Sequence, residues 1–257
     1  MNDAALLADA VTRIFRDYYT NDVLVSAKRK GWCAELWHTL EETGVSLVSV
    51  PEAAGGTGGS MHDGFSVLRL AGKYCAAVPL ADTALLAGWA LGRAGLPIPK
   101  GPLAFAVVRP NSPLSMKQES GGWRIAGVLK RVPWARFACG LVVVTEHEGE
   151  CVVILLDPAQ YKTSPGTNLA GEARDDVVIG NALVSNANIS VAPAGVSVDG
   201  AWQRGALSSA VMMCGALDRI LEMSVQYCKQ RVQFGRPLGK FQAICGRRSE
   251  DVGIRPV

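Results

Sequence analysis

The chain has 257 residues, of which 49% are hydrophobic and 19% charged, with a formal net charge of +3. That balance supplies apolar material for a core and excludes global disorder. So small a charge, on basic residues that are scattered until Arg247-Arg248, leaves no footprint for nucleic acid or a membrane surface.

Residues 1–100 read as a helical domain. Leu36, Trp37 and Leu40 recur at helical spacing within 35–43, and Gly44 stops the run. Pro51-Glu-Ala-Ala-Gly-Gly-Thr-Gly-Gly59 is a loop whose glycines suit positive φ. It lacks the spacing of a phosphate-binding loop. Phe65, Leu68, Ala71 and Cys75 form the stripe of a helix over 63–76. An Ala/Leu helix over 82–94 follows, with Asp82 expected as its N-cap and Gly95 at its end.

Prolines 97, 99 and 102 mark a stiff joint, after which the period changes. Short β-branched runs at 103–108, 123–126, 141–145, 151–156 and 176–179 predict a middle antiparallel β-domain, barrel or sandwich, over 101–195. From 196 to 244 the helical period returns. Leu207, Val211, Cys214, Leu217, Leu221, Val225 and Cys228 line one stripe of a long helix over 203–231. Asp218, Arg219 and Glu222 lie elsewhere on the cylinder, with Glu222 expected in solvent. Such a stripe needs partner helices from this chain or another. The fold class is therefore α+β and multidomain: a helical N-terminal domain, a β-domain and the start of a C-terminal helical bundle.

The seven cysteines show no C-x-x-C pair and sit mostly in apolar runs, so buried reduced thiols are expected, and from them a cytoplasmic location. His38, His62 and His147 are far apart, which predicts no metal site. The N-terminus has no signal-peptide pattern and no apolar run reaches membrane-span length.

Arg231-Val-Gln-Phe-Gly-Arg-Pro-Leu-Gly-Lys-Phe-Gln-Ala-Ile244, closing the long helix, resembles the R-x-x-F-G-x-x-[LI]-x-x-[FL]-Q signature of the acyl-CoA dehydrogenase family. Gly44 through Gly59 is similar to the family's G-x-x-x-x-x-x-P-E-x-x-G-G-x-G loop, and the resemblance covers about residues 30–244. It implies an FAD-dependent α,β-dehydrogenation of an acyl-CoA thioester, homo- or hetero-oligomers (dimers or tetramers), and an electron-transfer acceptor. It also implies that Arg231 meets the pyrophosphate of FAD, Phe234 packs on the adenine and Gln242 hydrogen-bonds the cofactor, across a subunit boundary. The alternative reading of Arg231 and Gln242 is a helix cap bound to water.

The sequence departs from the family in three places. Val107–Pro113 and Gly127–Ala138 replace the two loops that hold the flavin ring, with Arg131, Pro133 and Trp134 at positions of the second pattern. Pro133 donates no backbone hydrogen bond. Trp134 has two readings, flavin stacking and plain β-domain packing. The usual substrate-side arginine position is Ala206, with Arg204 two residues earlier as a candidate for acyl-CoA. The catalytic carboxylate is expected at neither family position: Gly205 stands at the minority one, and the commoner one lies beyond the chain. Residues 245–257 read as an aberrant tail from a disrupted reading frame or truncated gene. Alongside the enzyme, the sequence keeps open a non-catalytic partner subunit sharing a flavin and an inactive remnant.

Overall fold

In the computed structural model, which describes residues 3–109 and 114–244, helix α1 (Asp3–Asp17) packs on α3 (Ala34–Glu42) and α4 (Met61–Lys73). Helix α2 (Asn21–Lys30) is capped by Thr20 and ends at Gly31 with φ +87°. Phe15, Trp37, Leu40 and Leu68 are buried together, which accounts for the apolar stripes of α1, α3 and α4. Ser60 and Asp63 form a reciprocal capping box at the start of α4. Gly55 and Gly58 take φ of +86° and +74°, so the glycine-rich segment is the turn the sequence predicts.

Asp82 is not an N-cap. The helix starts earlier, at Leu80 just after Pro79, and its first part, Ala81–Ala87, is π-helical before α5 (Gly88–Ala94). Thr83 there bonds both the N–H (2.9 Å) and the carbonyl (3.3 Å) of Leu103, the first residue of the β region. Leu86, Ala90 and Leu91 share a buried cluster with Phe105, Val142 and Leu155. The proline-rich joint thus connects elements that pack on one another.

Two four-stranded sheets face each other, as the β-branched runs predict. One has the order β1 (Leu103–Val107), β4 (Gly140–His147), β5 (Glu150–Leu156), β8 (Ile189–Val191). The other has the order β2 (Ser115–Glu119), β3 (Gly122–Pro133), β7 (Arg174–Ser185), β6 (Lys162–Ser164). All pairings are antiparallel except β1–β4, which is parallel. Ile125, Leu129, Leu141, Ile154 and Val177 fill the space between the sheets. Asp175 is fully buried beside them and takes hydrogen bonds from the Arg136 N–H and guanidinium and from the Gly166 N–H.

Helix α6 (Val198–Gln230) has 33 residues and returns across both parts. Its buried residues are Val198, Ala201, Ser208 and Gly215, not the predicted leucines. A side chain on Gly215 would meet the Arg69 carbonyl and the Lys73 N–H, and one on Gly72 would meet the Met212 backbone. Bare glycines let α4 and α6 approach backbone to backbone. Leu207, Cys214, Leu217 and Leu221 are exposed, while Val211, Val225 and Cys228 are partly buried. Glu222 is exposed, as expected, and pairs there with Lys73 at 2.6 Å, one turn beyond an Arg69–Asp218 pair at 2.7 Å.

The thiol prediction needs correction. The cysteines among the described residues are free, yet only Cys33 is buried, and Cys75, Cys139 and Cys214 are exposed. An apolar neighbour in sequence does not place a thiol in the core when its strand end or helix face points outward. No helix among the described residues is long and apolar enough to cross a membrane. Residues 110–113 and 245–257, which hold part of the first departed loop and the predicted aberrant tail, lie outside the described residues.

Candidate functional site

Strand β3 loses register with β7 between Ile125 and Gly127 and again between Leu129 and Val132. The second irregularity puts Arg131 at φ +56°, and Trp134, just past the strand, sits at φ +57°. Neither residue is a glycine, so both conformations carry backbone strain, a feature that concentrates at functional sites. Asp176 anchors the irregular stretch by accepting from the Arg131 N–H (3.1 Å) and the Lys130 ammonium (2.7 Å).

The bulged strand walls a cleft of about 900 Å³. Leu129 to Trp134 form one side, and α6 forms the other through Ala201, Gly205, Ala206 and Met212. The end of β1 and the start of the π-helical segment close it, with Phe105, Val78 and Leu86. The size sits at the upper end of small-molecule sites, and the lining has the expected character, apolar with a few polar groups. Those polar groups are informative. Glu172 accepts from the Asn168 amide (2.7 Å) and the Arg174 guanidinium (3.1 Å), so all three are tied to one another at the rim. Outside the lining itself, Arg109 lies 5.1 Å from the centre of the ring of Trp202, which does line the cleft.

Asp82 is different. It is 8% exposed and lines the cleft, and among the described residues no other residue hydrogen-bonds its carboxyl. Burial pushes that carboxyl up to about 7, Arg174 pulls partly the other way and Glu172 adds to the rise. Sequence reading missed this role because the residue's position before a helical run mimics an N-cap. The signal that could have exposed it is Pro79, after which the helix already runs from Leu80, before Asp82 could cap it.

The residues singled out from sequence divide into three places. Trp134 and Gly205 both line the cleft, from opposite sides. Trp134 is 3% exposed and near Phe137, so its ring belongs to the β-domain packing and to the cleft wall at once. Arg204 is not in the cleft lining. Its guanidinium donates to the Leu85 carbonyl, lies 4.7 Å from the centre of the Trp89 ring, and is half-buried with its pKa lowered by desolvation. Those contacts hold it on the helical side, so a substrate role for Arg204 finds no geometry.

Arg231, Phe234 and Gln242 lie at the other end of α6. With a rise of about 1.5 Å per residue, Arg231 is roughly 39 Å along the helix from Gly205. Arg231 caps α6 only through its backbone N–H, bonded to the Tyr227 carbonyl at 2.8 Å. Its guanidinium and the Gln242 amide, both on exposed residues, have no partner among the described residues. Phe234 is 93% exposed, at φ +50°, on the turn between two short strands, Val232–Gln233 and Arg236–Pro237. Its ring meets the edge of Phe241, whose ring Arg236 covers at 4.2 Å. One chain therefore does not bring these three residues to its own cleft. Among the described residues, no three His, Cys, Asp or Glu side chains gather as metal ligands.

Comparison with known proteins gives a likeness to acyl-CoA dehydrogenases in sequence and to their fold in structure. The family model described as "Acyl-CoA dehydrogenase, C-terminal domain" matches residues 197–250. The chain is 29% identical over 236 residues to acyl-CoA dehydrogenase FadE27 of Mycobacterium tuberculosis, an alignment covering 84% of this chain and 61% of that protein. It thus spans less than two thirds of that relative. In structure it is similar to a chain of the ChsE4–ChsE5 complex from Mycobacterium tuberculosis, with a TM-score of 0.83, 24% identity, and coverage of 97% and 73% of the two chains. It is also similar to a glutaryl-CoA dehydrogenase from Mycobacterium smegmatis in complex with FADH2, with a TM-score of 0.84, 13% identity, and coverage of 97% and 71%.

Proposed function

We propose, for a chain that belongs to the acyl-CoA dehydrogenase family, that its cleft takes FAD together with the acyl part of an acyl-CoA thioester, for removal of hydrogen from the α and β carbons. The observation that carries this reading is the 900 Å³ cleft between the bulged end of β3 and α6, apolar on both walls and bounded by the buried Trp134. Such a space receives a flat apolar ring and an acyl chain and keeps water out. FAD, when bound, supplies the hydride-accepting ring that amino-acid side chains lack.

The residues at the far end of α6 suit the nucleotide half of a cofactor held by a neighbouring subunit. Arg231 offers a guanidinium with no partner among the described residues, whose planar fork matches phosphate oxygens. Phe234 offers an exposed ring face for a base, and Gln242 an exposed amide. Their distance from the chain's own cleft supports an oligomer in which each protomer lends this end to another. An electron-transfer protein would then reoxidise the reduced cofactor.

A second reading is a subunit that binds flavin without turning over, and one observation favours it. Gly205 faces the cleft at the position where a minority of the family carries the proton-abstracting carboxylate, and a glycine abstracts nothing. One experiment separates the two. The full chain is purified with excess FAD, and its absorption spectrum is followed as a series of acyl-CoA thioesters is added. A yellow protein that bleaches supports the dehydrogenase. A yellow protein that no thioester bleaches supports the second reading. A chain that takes up no FAD, alone or with a co-purified partner subunit, refutes both.

A further inference from the structure

We infer that Asp82 forms a polar subsite in the acyl half of the cleft, receiving a hydroxyl group on an otherwise apolar acyl chain. The inference deepens the proposed function and rests on it. Three features of the site lead there.

The first is a bonding capacity that the protein uses only in part. A buried polar group normally finds a partner, and a carboxyl held away from water without one is costly. Asp82 is 8% exposed, and among the described residues its carboxyl takes a hydrogen bond only from its own backbone N–H, which leaves most of its lone pairs for a ligand. The residue beside it makes the contrast plain, since Thr83 is bonded to both backbone groups of Leu103. Asp82 instead lines the cleft, among Val78, Ala81, Leu86 and Phe105, which offer it no polar side chain.

The second is its mounting. Asp82 sits in the π-helical segment Ala81–Ala87, a geometry rare in proteins and frequent at functional sites. The segment is pinned by Pro79 at its start and by Thr83 to β1, so the carboxyl is held on a fixed element.

The third is the kind of ligand group that matches. The charged groups nearest Asp82 are Arg174 and Glu172, and they are bonded to each other. Burial holds the Asp82 carboxyl near neutrality, so both its acid and its carboxylate form are present in ordinary buffer. The acid donates and the carboxylate only accepts. A hydroxyl answers both forms, by accepting from the first and donating to the second. A ketone oxygen answers only the acid.

The test is binding to the full chain loaded with FAD. The probes are octanoyl-CoA and a set of hydroxyoctanoyl-CoA isomers with the hydroxyl at successive carbons of the distal half of the chain. Affinities are read by calorimetric titration without turnover. One or two isomers should bind about tenfold to a hundredfold more tightly than octanoyl-CoA, the range for a buried hydrogen bond to a charged group. Asp82→Leu, similar in size and unable to hydrogen-bond, should abolish the preference among isomers. Asp82→Asn, which keeps the shape, should narrow it and serves if the leucine variant does not fold. Equal binding of all isomers to the unaltered chain, or a preference that survives both substitutions, overturns the subsite and leaves the wider function standing. If no thioester binds at all, the proposed function falls and the subsite with it.

Discussion

Replacing Asp82 by asparagine should stabilise the protein increasingly as the pH rises. The folded chain holds this carboxyl at about 7 and the unfolded chain at an ordinary 3.8, chiefly because folding removes it from water. Between those values the folded state binds a proton that the unfolded state has lost. Stability therefore declines as pH rises from the unfolded value, and the decline is complete once pH passes the folded value. At about 1.36 kcal/mol per unit, the full penalty above neutrality is about 4 kcal/mol. Asparagine keeps the shape and removes the ionisation, and its own desolvation does not vary with pH. Urea unfolding of both proteins from about pH 5 to pH 8 should then show the Asp82→Asn variant gaining roughly 2–3 kcal/mol on the parent across that range. A difference that stays flat with pH would refute the reasoning, because it would mean that the carboxyl titrates alike in both states.

Three other outcomes follow from the packing. Asp175→Ala leaves the Arg136 guanidinium beside a buried void where its carboxylate partner stood, and should cost about 3–5 kcal/mol in urea unfolding. Gly215→Ala sets a methyl group against the Arg69 and Lys73 backbone and should cost about 1–3 kcal/mol, seen as a lower midpoint with an unchanged slope. Arg231→Ala touches an exposed side chain, so circular dichroism and melting temperature should stay as they are while the FAD retained on purification falls. Loss of fold in that last variant would contradict the assignment of Arg231 to a ligand.

Much of the order of the fold was legible in the residues. The switch from helical to two-residue periodicity near 100 and back near 200 reflects how each element must turn its apolar groups inward, and this needs no long-range information. The run from Arg231 to Gln242 was equally legible, because a dense motif survives in sequence whatever surrounds it. The face of α6 was not. Its leucine stripe is the stronger hydrophobic signal, yet the helix approaches α4 at Gly215 and beside Gly72, because backbone contact needs small residues and a periodicity count rewards large ones. Arg204 misled for a related reason, since its place in the motif register says nothing of the Trp89 ring and Leu85 carbonyl that capture it.

Asp82 marks the boundary most clearly. Sequence alone determined the resemblance to acyl-CoA dehydrogenases, the succession of helical and β regions and the candidate residues at the end of α6, all of which depend on local pattern. Only the tertiary structure decided that a carboxylate before a helical run would be buried at a cleft with no hydrogen bond from another of the described residues. Its chemistry depends on residues such as Glu172 and Arg174, distant in the chain, and on the loss of water around it, and neither is encoded in its neighbours.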